Sequence, residues 1–172
     1  MVRALISVGS NINPAENTKR ALRALKRKVR ITAISTVYLS DAENRPEQPR
    51  YYNCIVEVET DMPAIELKNR VLLPIEDRLG RMRTNDKNAA RTIDLDLILY
   101  GHSVIAAQLR LSAPDIACRP FIAIPLRELV HNLIIPSSEE CAKDPARLQA
   151  TLQPLKKYTQ QIRKDILNGH KP

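Results

Sequence analysis

Aromatic side chains are scarce: five Tyr, one Phe and no Trp among 172 residues. The core must therefore be mostly aliphatic, and a sheet that stacks several nucleic-acid bases on aromatic rings is disfavoured. Four Gly are too few for a glycine-rich phosphate loop or a flexible linker, so any phosphate must be gripped by side chains. Cys54, Cys118 and Cys141 form no Cys-x-x-Cys pair, which argues against a zinc site or a redox dithiol and for reduced thiols in a cytoplasmic protein. No apolar run approaches the ~20 residues of a membrane span. The N-terminus lacks the charged, apolar and small-residue succession of an export signal. Neither a membrane partner nor export is expected.

What is present suffices for one folded unit. Hydrophobic residues make up 44% of the chain, and 27 Lys and Arg against 19 Asp and Glu give a net charge of +8. Residues 2–8 read as a buried strand stopped by Gly9-Ser10-Asn11. Asn13-Pro14 looks like an N-cap followed by a first-turn proline, opening an amphipathic helix to about Lys28. Its apolar stripe is Ala21, Leu22, Leu25 and Val29; a basic stripe that includes Lys19, Arg23 and Lys26 is expected to face solvent. Residues 31–40 and 52–60 read as strands flanking a polar loop at 41–50. Asp61-Met62-Pro63 opens a second helix that ends at Gly80, with Pro74 expected to kink it near Arg70. A charged loop at 81–91 leads into a strand at 93–100. A proline-rich loop region and a basic helical tail over about 145–167 complete the chain. This order predicts an α+β fold, a ferredoxin-like βαββαβ sandwich with helices on one face of an antiparallel sheet.

The most informative stretch is Arg91-Thr92-Ile93-Asp94-Leu95-Asp96-Leu97. Alternation on a strand puts Asp94 and Asp96 on one face, and Ile93, Leu95, Leu97 and Leu99 on the buried one. Two carboxylates so presented suit Mg²⁺, which takes one or two carboxylates and completes its shell with water and phosphates; a pair can hold two ions for phosphoryl transfer. Taken alone, such a pair is most simply a solvated strand face. Arg81, Arg83, Lys87 and Arg91 in the feeding loop tip the balance, because guanidinium groups grip phosphate oxygens bidentately.

Ser7-Val8-Gly9-Ser10-Asn11, Gln48-Pro49 with Tyr51-Tyr52-Asn53, Ile75-Glu76 with Gly80-Arg81-Met82-Arg83, the Arg91–Asp96 segment, and Arg119-Pro120-Phe121 with Pro125-Leu126 occur in an order and spacing that resemble the 6-hydroxymethyl-7,8-dihydropterin pyrophosphokinase family. The likeness runs from Val2 to about Pro136. It implies Mg²⁺-dependent transfer of pyrophosphate from ATP to the dihydropterin, releasing AMP, in folate biosynthesis. By matching positions, Asp94 and Asp96 are expected to hold two Mg²⁺. Arg81, Arg83 and Arg91 are expected to act on the phosphates, with Glu76, Arg110 and Arg119 near ATP. Ser40, Tyr51, Asn53 and Phe121 are expected to bind pterin, Phe121 from a proline-rich loop. The resemblance also implies a monomer whose partners are these small molecules. Residues 1–140 would form the pyrophosphokinase-like domain, and 141–172 a basic helical extension packed on it or trailing from it.

Departures fall in the loops. Family members carry an aromatic residue and Gly-Pro where this chain has Asn88-Ala89-Ala90, Pro-His where it has Pro114-Asp115, and Pro where it has Asp41. These leave open a paralogue that binds pterin and nucleotide with weak or no transfer. A third alternative, an RNA-binding module, rests on the basic stripe and is weakened by the shortage of rings.

Overall fold

The computed structural model describes residues 1–42, 45–86, 88–101, 103–104, 119–130 and 152–168. The elements are β1 (Val2–Ser10), α1 (Pro14–Lys26), β2 (Arg30–Ile34), β3 (Tyr38–Ser40) and β4 (Tyr51–Thr60). Next comes α2, whose successive parts are Ala64–Glu66, a π-helical stretch Leu67–Leu72, and Leu73–Arg78. Then follow β5 (Asp94–Tyr100), β6 (Ser103–Val104), α3 (Pro120–Leu129), β7 (Gln153–Pro154) and α4 (Lys156–Leu167).

The strands form one antiparallel sheet in the order β6-β5-β1-β4-β3-β7, with β2 pairing β4 alongside β3. Within it, β1, β2/β3, β4 and β5 with α1 and α2 are the expected split βαβ arrangement. Period-two alternation sorts the apolar side chains into two cores. Ala4, Ile6 and Val8 of β1 meet Leu22 and Leu25 of α1, Leu67 and Val71 of α2, and Ile162 and Ile166 of α4. On the opposite face Leu5, Ile55, Ile98 and Leu99 meet Ile122 and Leu126 of α3. The two helices of the βαββαβ unit thus share a face as expected, while α3, beyond that unit, covers the other.

Local departures from the sequence reading have physical causes. The strand expected over 31–40 breaks between β2 and β3, where Ser35 bonds Ile55 through its own N–H and through its hydroxyl. Asn13 precedes α1 in a left-handed conformation (φ 44°) and makes no side-chain cap; the Asn17 side chain instead donates to the Ile12 carbonyl at 2.7 Å. The disturbance expected near Arg70 is the π-helical stretch, which lets the ladder approach Pro74, a residue with no N–H to give. Gly80 (φ 75°) ends α2 in the left-handed region that favours glycine. A register shift pairs Leu5 with Leu99 but Ile6 with Leu97, so a bulge at Ile98 carries Leu99 to the α3 face, away from Leu95 and Leu97.

The described part of the C-terminal tail pairs with β3 through β7 and docks α4 against α1. Three residues expected on the solvated stripe are engaged there: Lys19 and Arg23 reach Asp165 at 3.2 and 3.8 Å, and the Lys26 ammonium donates to the Ile166 carbonyl. The start of that tail, Lys87, and the segment holding Pro114, Asp115 and Pro136 lie outside the described residues. Among the described residues no helix is long and apolar enough to cross a membrane.

Candidate active site

The site is built on the sheet face that carries α3, near one end of the central strands. Residues two apart on β1, β4 and β5 point the same way, and the registers align them: Asp94 lies opposite Gly9 and Gly9 opposite Asn53, while Asp96 lies opposite Ser7. A Cβ at Gly9 would come within 3.2 Å of the Asn53 Oδ1, so glycine keeps the floor between Asp94 and Asn53 open. Ser40 pairs with Tyr51 at the end of β3, and Asn53 donates to the Ser40 hydroxyl at 2.8 Å.

Above this floor lies a cavity of about 290 Å³. Of the residues singled out from the sequence it brings together Ser40, Tyr51, Asn53, Asp94 and Asp96 with Arg91, Arg119 and Phe121. Phe121 comes not from a loop but from the first turn of α3, which starts at Pro120. Among the described residues Ser7, Gly9, Asp41, Ala42, Asn88 and Ile122 complete the lining. Of these, Ser7 and Gly9 were within reach of the sequence, because β1 alternates and pairs with the Asp strand. The loop residues Asp41, Ala42 and Asn88 follow no periodicity that would place them. Arg110 lies outside the described residues.

Asn11, fully buried, organises the rim. Its Oδ1 accepts the Arg91 N–H at 2.7 Å, its Nδ2 donates to Gln48 Oε1 and the Pro49 carbonyl at 3.2 Å, and Gln48 donates onward to the Asn88 carbonyl at 2.9 Å. Asn11 and Gln48 were read from the sequence only as motif members; their work is to tie the 48–49 and 88–91 segments to the end of β1.

The electrostatics centre on Asp94. Arg91 Nη1 donates to its Oδ2 at 2.5 Å, and Arg81 Nε lies 3.7 Å from its Oδ1. Among the described residues that buried Arg81 nitrogen, a cationic donor beside the carboxylate, has no hydrogen-bond partner. Burial, reinforced by the neighbouring Asp94 charge, pushes the Asp96 carboxyl above the usual carboxylate range. Arg83 and Glu76 do not line the cavity. Arg83 is half exposed and pairs with Glu76 and with Asp77. Glu76 is buried beneath β5 and accepts the N–H of Leu95, the residue between the two aspartates, at 2.7 Å. It thereby holds the backbone that presents both carboxylates.

Two carboxylates crowded on one face, one of them desolvated, would be relieved by a divalent cation. Among the described residues no group of three or more His, Cys, Asp or Glu could hold a metal, and a two-carboxylate set fits Mg²⁺ completed by water and phosphate oxygens. Guanidinium groups beside the pair suit those phosphates, and the Tyr51 and Phe121 rings with the Asn53 amide suit a flat heterocycle with a polar edge.

Residues 5–131 match the family model described as 7,8-dihydro-6-hydroxymethylpterin-pyrophosphokinase. A 2-amino-4-hydroxy-6-hydroxymethyldihydropteridine pyrophosphokinase of Haemophilus influenzae is 34% identical over 144 residues, covering 81% of this chain and 88% of that protein. The protein of the same name from Pseudomonas aeruginosa is 32% identical, covering 78% and 84%. A folate synthesis bifunctional protein of Arabidopsis thaliana is 34% identical over 129 residues, 26% of its length. With a carboxylate pair, flanking arginines and two rings gathered on one ferredoxin-like sheet, and a family match spanning most of its length, the chain belongs to the 7,8-dihydro-6-hydroxymethylpterin-pyrophosphokinase family.

Proposed function

We propose that this protein transfers the β,γ-pyrophosphoryl group of ATP to the hydroxymethyl oxygen of 6-hydroxymethyl-7,8-dihydropterin, in folate biosynthesis, as a cytoplasmic monomer using two Mg²⁺. The pterin hydroxyl oxygen bonds to the β-phosphorus of ATP, the bond from that phosphorus to the α-phosphate bridging oxygen breaks with its electron pair staying on AMP, and the hydroxyl proton passes to solvent water. The observation that carries this reading is the placement of Asp94 and Asp96 on the floor of a cavity whose walls supply Tyr51, Phe121 and Asn53.

Asp94 and Asp96 would hold the Mg²⁺, which when bound neutralises the triphosphate and polarises the transferring group. Arg91 and Arg81 stand beside Asp94 and move from that carboxylate onto phosphate oxygens, offsetting charge that builds toward the leaving AMP. Arg119 approaches from the α3 side. Tyr51 and Phe121 flank the pterin ring, and the Asn53–Ser40 pair presents polar atoms to its edge. Asn11 and Glu76 orient these groups through backbone bonds and touch no reacting atom. A second reading, ligand binding without efficient transfer, draws on Asn88, which lines the cavity at a position where the resemblance implies a ring.

Incubating the purified protein with ATP, Mg²⁺ and the dihydropterin separates the two. Transfer yields AMP and pterin diphosphate in equal amounts. Pterin binding without AMP favours the second reading, and absence of both refutes the proposal.

A further inference from the structure

Two walls of the cavity belong to elements outside the central strands β1, β4 and β5. One is the N-terminal end of α3, with Phe121 and Ile122; the other is the end of β3, with Ser40 and the following Asp41 and Ala42. β3 spans only three residues, pairs β4 on one side and the two-residue β7 on the other, and follows a break in the ladder, so strand pairing alone fixes this short strand weakly.

The backbone groups freed by that break are taken up by side chains from the C-terminal half. The Thr36 N–H donates to Glu128 Oε2 at 2.8 Å, and the Tyr38 hydroxyl donates to Glu128 Oε1 at 2.7 Å. The Val37 N–H donates to the Thr159 hydroxyl of α4 at 2.9 Å. Arg163 of α4 donates from Nε to the Ile34 carbonyl at 2.8 Å, and its Nη2 lies 3.9 Å from Glu128 Oε2. Glu128 sits at the opposite end of α3 from Phe121. One carboxylate therefore receives two hydrogen bonds from the β3 edge, faces a cation from α4, and belongs to the helix that carries the ring. Hydrogen bonds to an ionised acceptor are stronger than neutral ones, and both carboxylate oxygens are in use, so α3 can neither rotate nor slide along β3 without breaking one.

We propose that Glu128 is a positioning residue for the pterin half of the site, setting the gap between Phe121 on α3 and Ser40 on β3, with Arg163 of the C-terminal helix bracing it. This rests on the functional reading above. Among the described residues none of Glu128's bonds reaches β5 or the 81–91 loop, where the phosphates would be gripped. Its removal should loosen pterin and spare Mg-ATP.

The test measures pterin affinity by fluorescence, Mg-ATP affinity by calorimetry, and amide exchange over residues 36–42, in wild type, Glu128→Ala and Glu128→Gln. Glu128→Ala is expected to weaken pterin binding about tenfold or more, change Mg-ATP binding by less than about twofold, and speed exchange over 36–42. Glu128→Gln, keeping one acceptor oxygen, should fall between. Equal weakening of both ligands, or unchanged pterin affinity, overturns the proposal. Should Glu128→Ala fail to fold, Tyr38→Phe, which removes a single hydroxyl, must give the same split in smaller measure or the proposal falls. If wild type binds no pterin, the functional reading fails and exchange decides alone: faster exchange in Glu128→Gln supports the positioning role, unchanged exchange refutes it.

Discussion

Glu76 illustrates how one buried residue serves the site without entering it. Burial raises its carboxyl to about 7, against the pull of the Leu95 N–H and the Arg83 guanidinium. Its ordinary value is 4.5, so between these two the folded protein holds a proton that the unfolded chain releases. This contribution to stability is therefore fully present below about 4.5 and is lost as pH rises through about 7. Its full size is on the order of 2–4 kcal/mol. Glu76→Gln, always neutral, should therefore be relatively more stable at pH 8 than at pH 5 when compared with wild type. Urea denaturation of the ligand-free proteins at both pH values checks this; a difference that does not change with pH would contradict it.

At the scale of elements, one of the departures expected from the resemblance, Asn88-Ala89-Ala90, falls in the 81–91 loop, and its consequence can be measured. Asn88 is held by Gln48 at its carbonyl and by Asp86 Oδ1 at its N–H, while its side chain lines the cavity without offering a ring. Closure of such a loop excludes water and aligns the arginines, and small misplacement can cost ~100-fold in rate with little change in binding. Combined Asn88→Trp, Ala89→Gly and Ala90→Pro substitution should raise kcat while the Mg-ATP Kd stays within about twofold. A folded variant with unchanged or lower kcat would show that closure does not limit turnover.

The same elements mark what the sequence could and could not reveal. Alternation along β5 placed Asp94 and Asp96 together because a strand's period is fixed at two. It misplaced Leu99 because one extra residue at Ile98 reverses every later side chain. Residues 31–40 read as one strand because β-branching does not announce a break; only Ser35, bonding Ile55 through its hydroxyl, could have hinted at it. Prolines mark turns and so point to a loop at Phe121, yet Pro120 stands at a helix start, where a missing N–H costs nothing. The distances that matter most, from Asn11 to Arg91 and from Glu128 to Tyr38, join residues 80 and 90 positions apart, beyond any local pattern.

At the scale of the whole molecule, the C-terminal segment contributes to the main core. Ile162 and Ile166 are each 1% exposed, and Asp165 draws two of the basic residues of α1. Ile162→Ala should cost about 2–5 kcal/mol in urea denaturation, as large-to-small changes in a packed core do; a loss below about 1 kcal/mol would mean that α4 rests on the surface.

The molecule's chemistry converges on the carboxylate pair, and AMP formation against Mg²⁺ concentration in wild type and Asp96→Asn tests it most directly. The expected result is Mg²⁺-dependent turnover in wild type and a loss on the order of 100-fold or more in Asp96→Asn at saturating Mg²⁺, with thermal stability and pterin binding retained. Turnover in Asp96→Asn equal to wild type at every Mg²⁺ concentration would contradict the assignment of Asp96 to the metal.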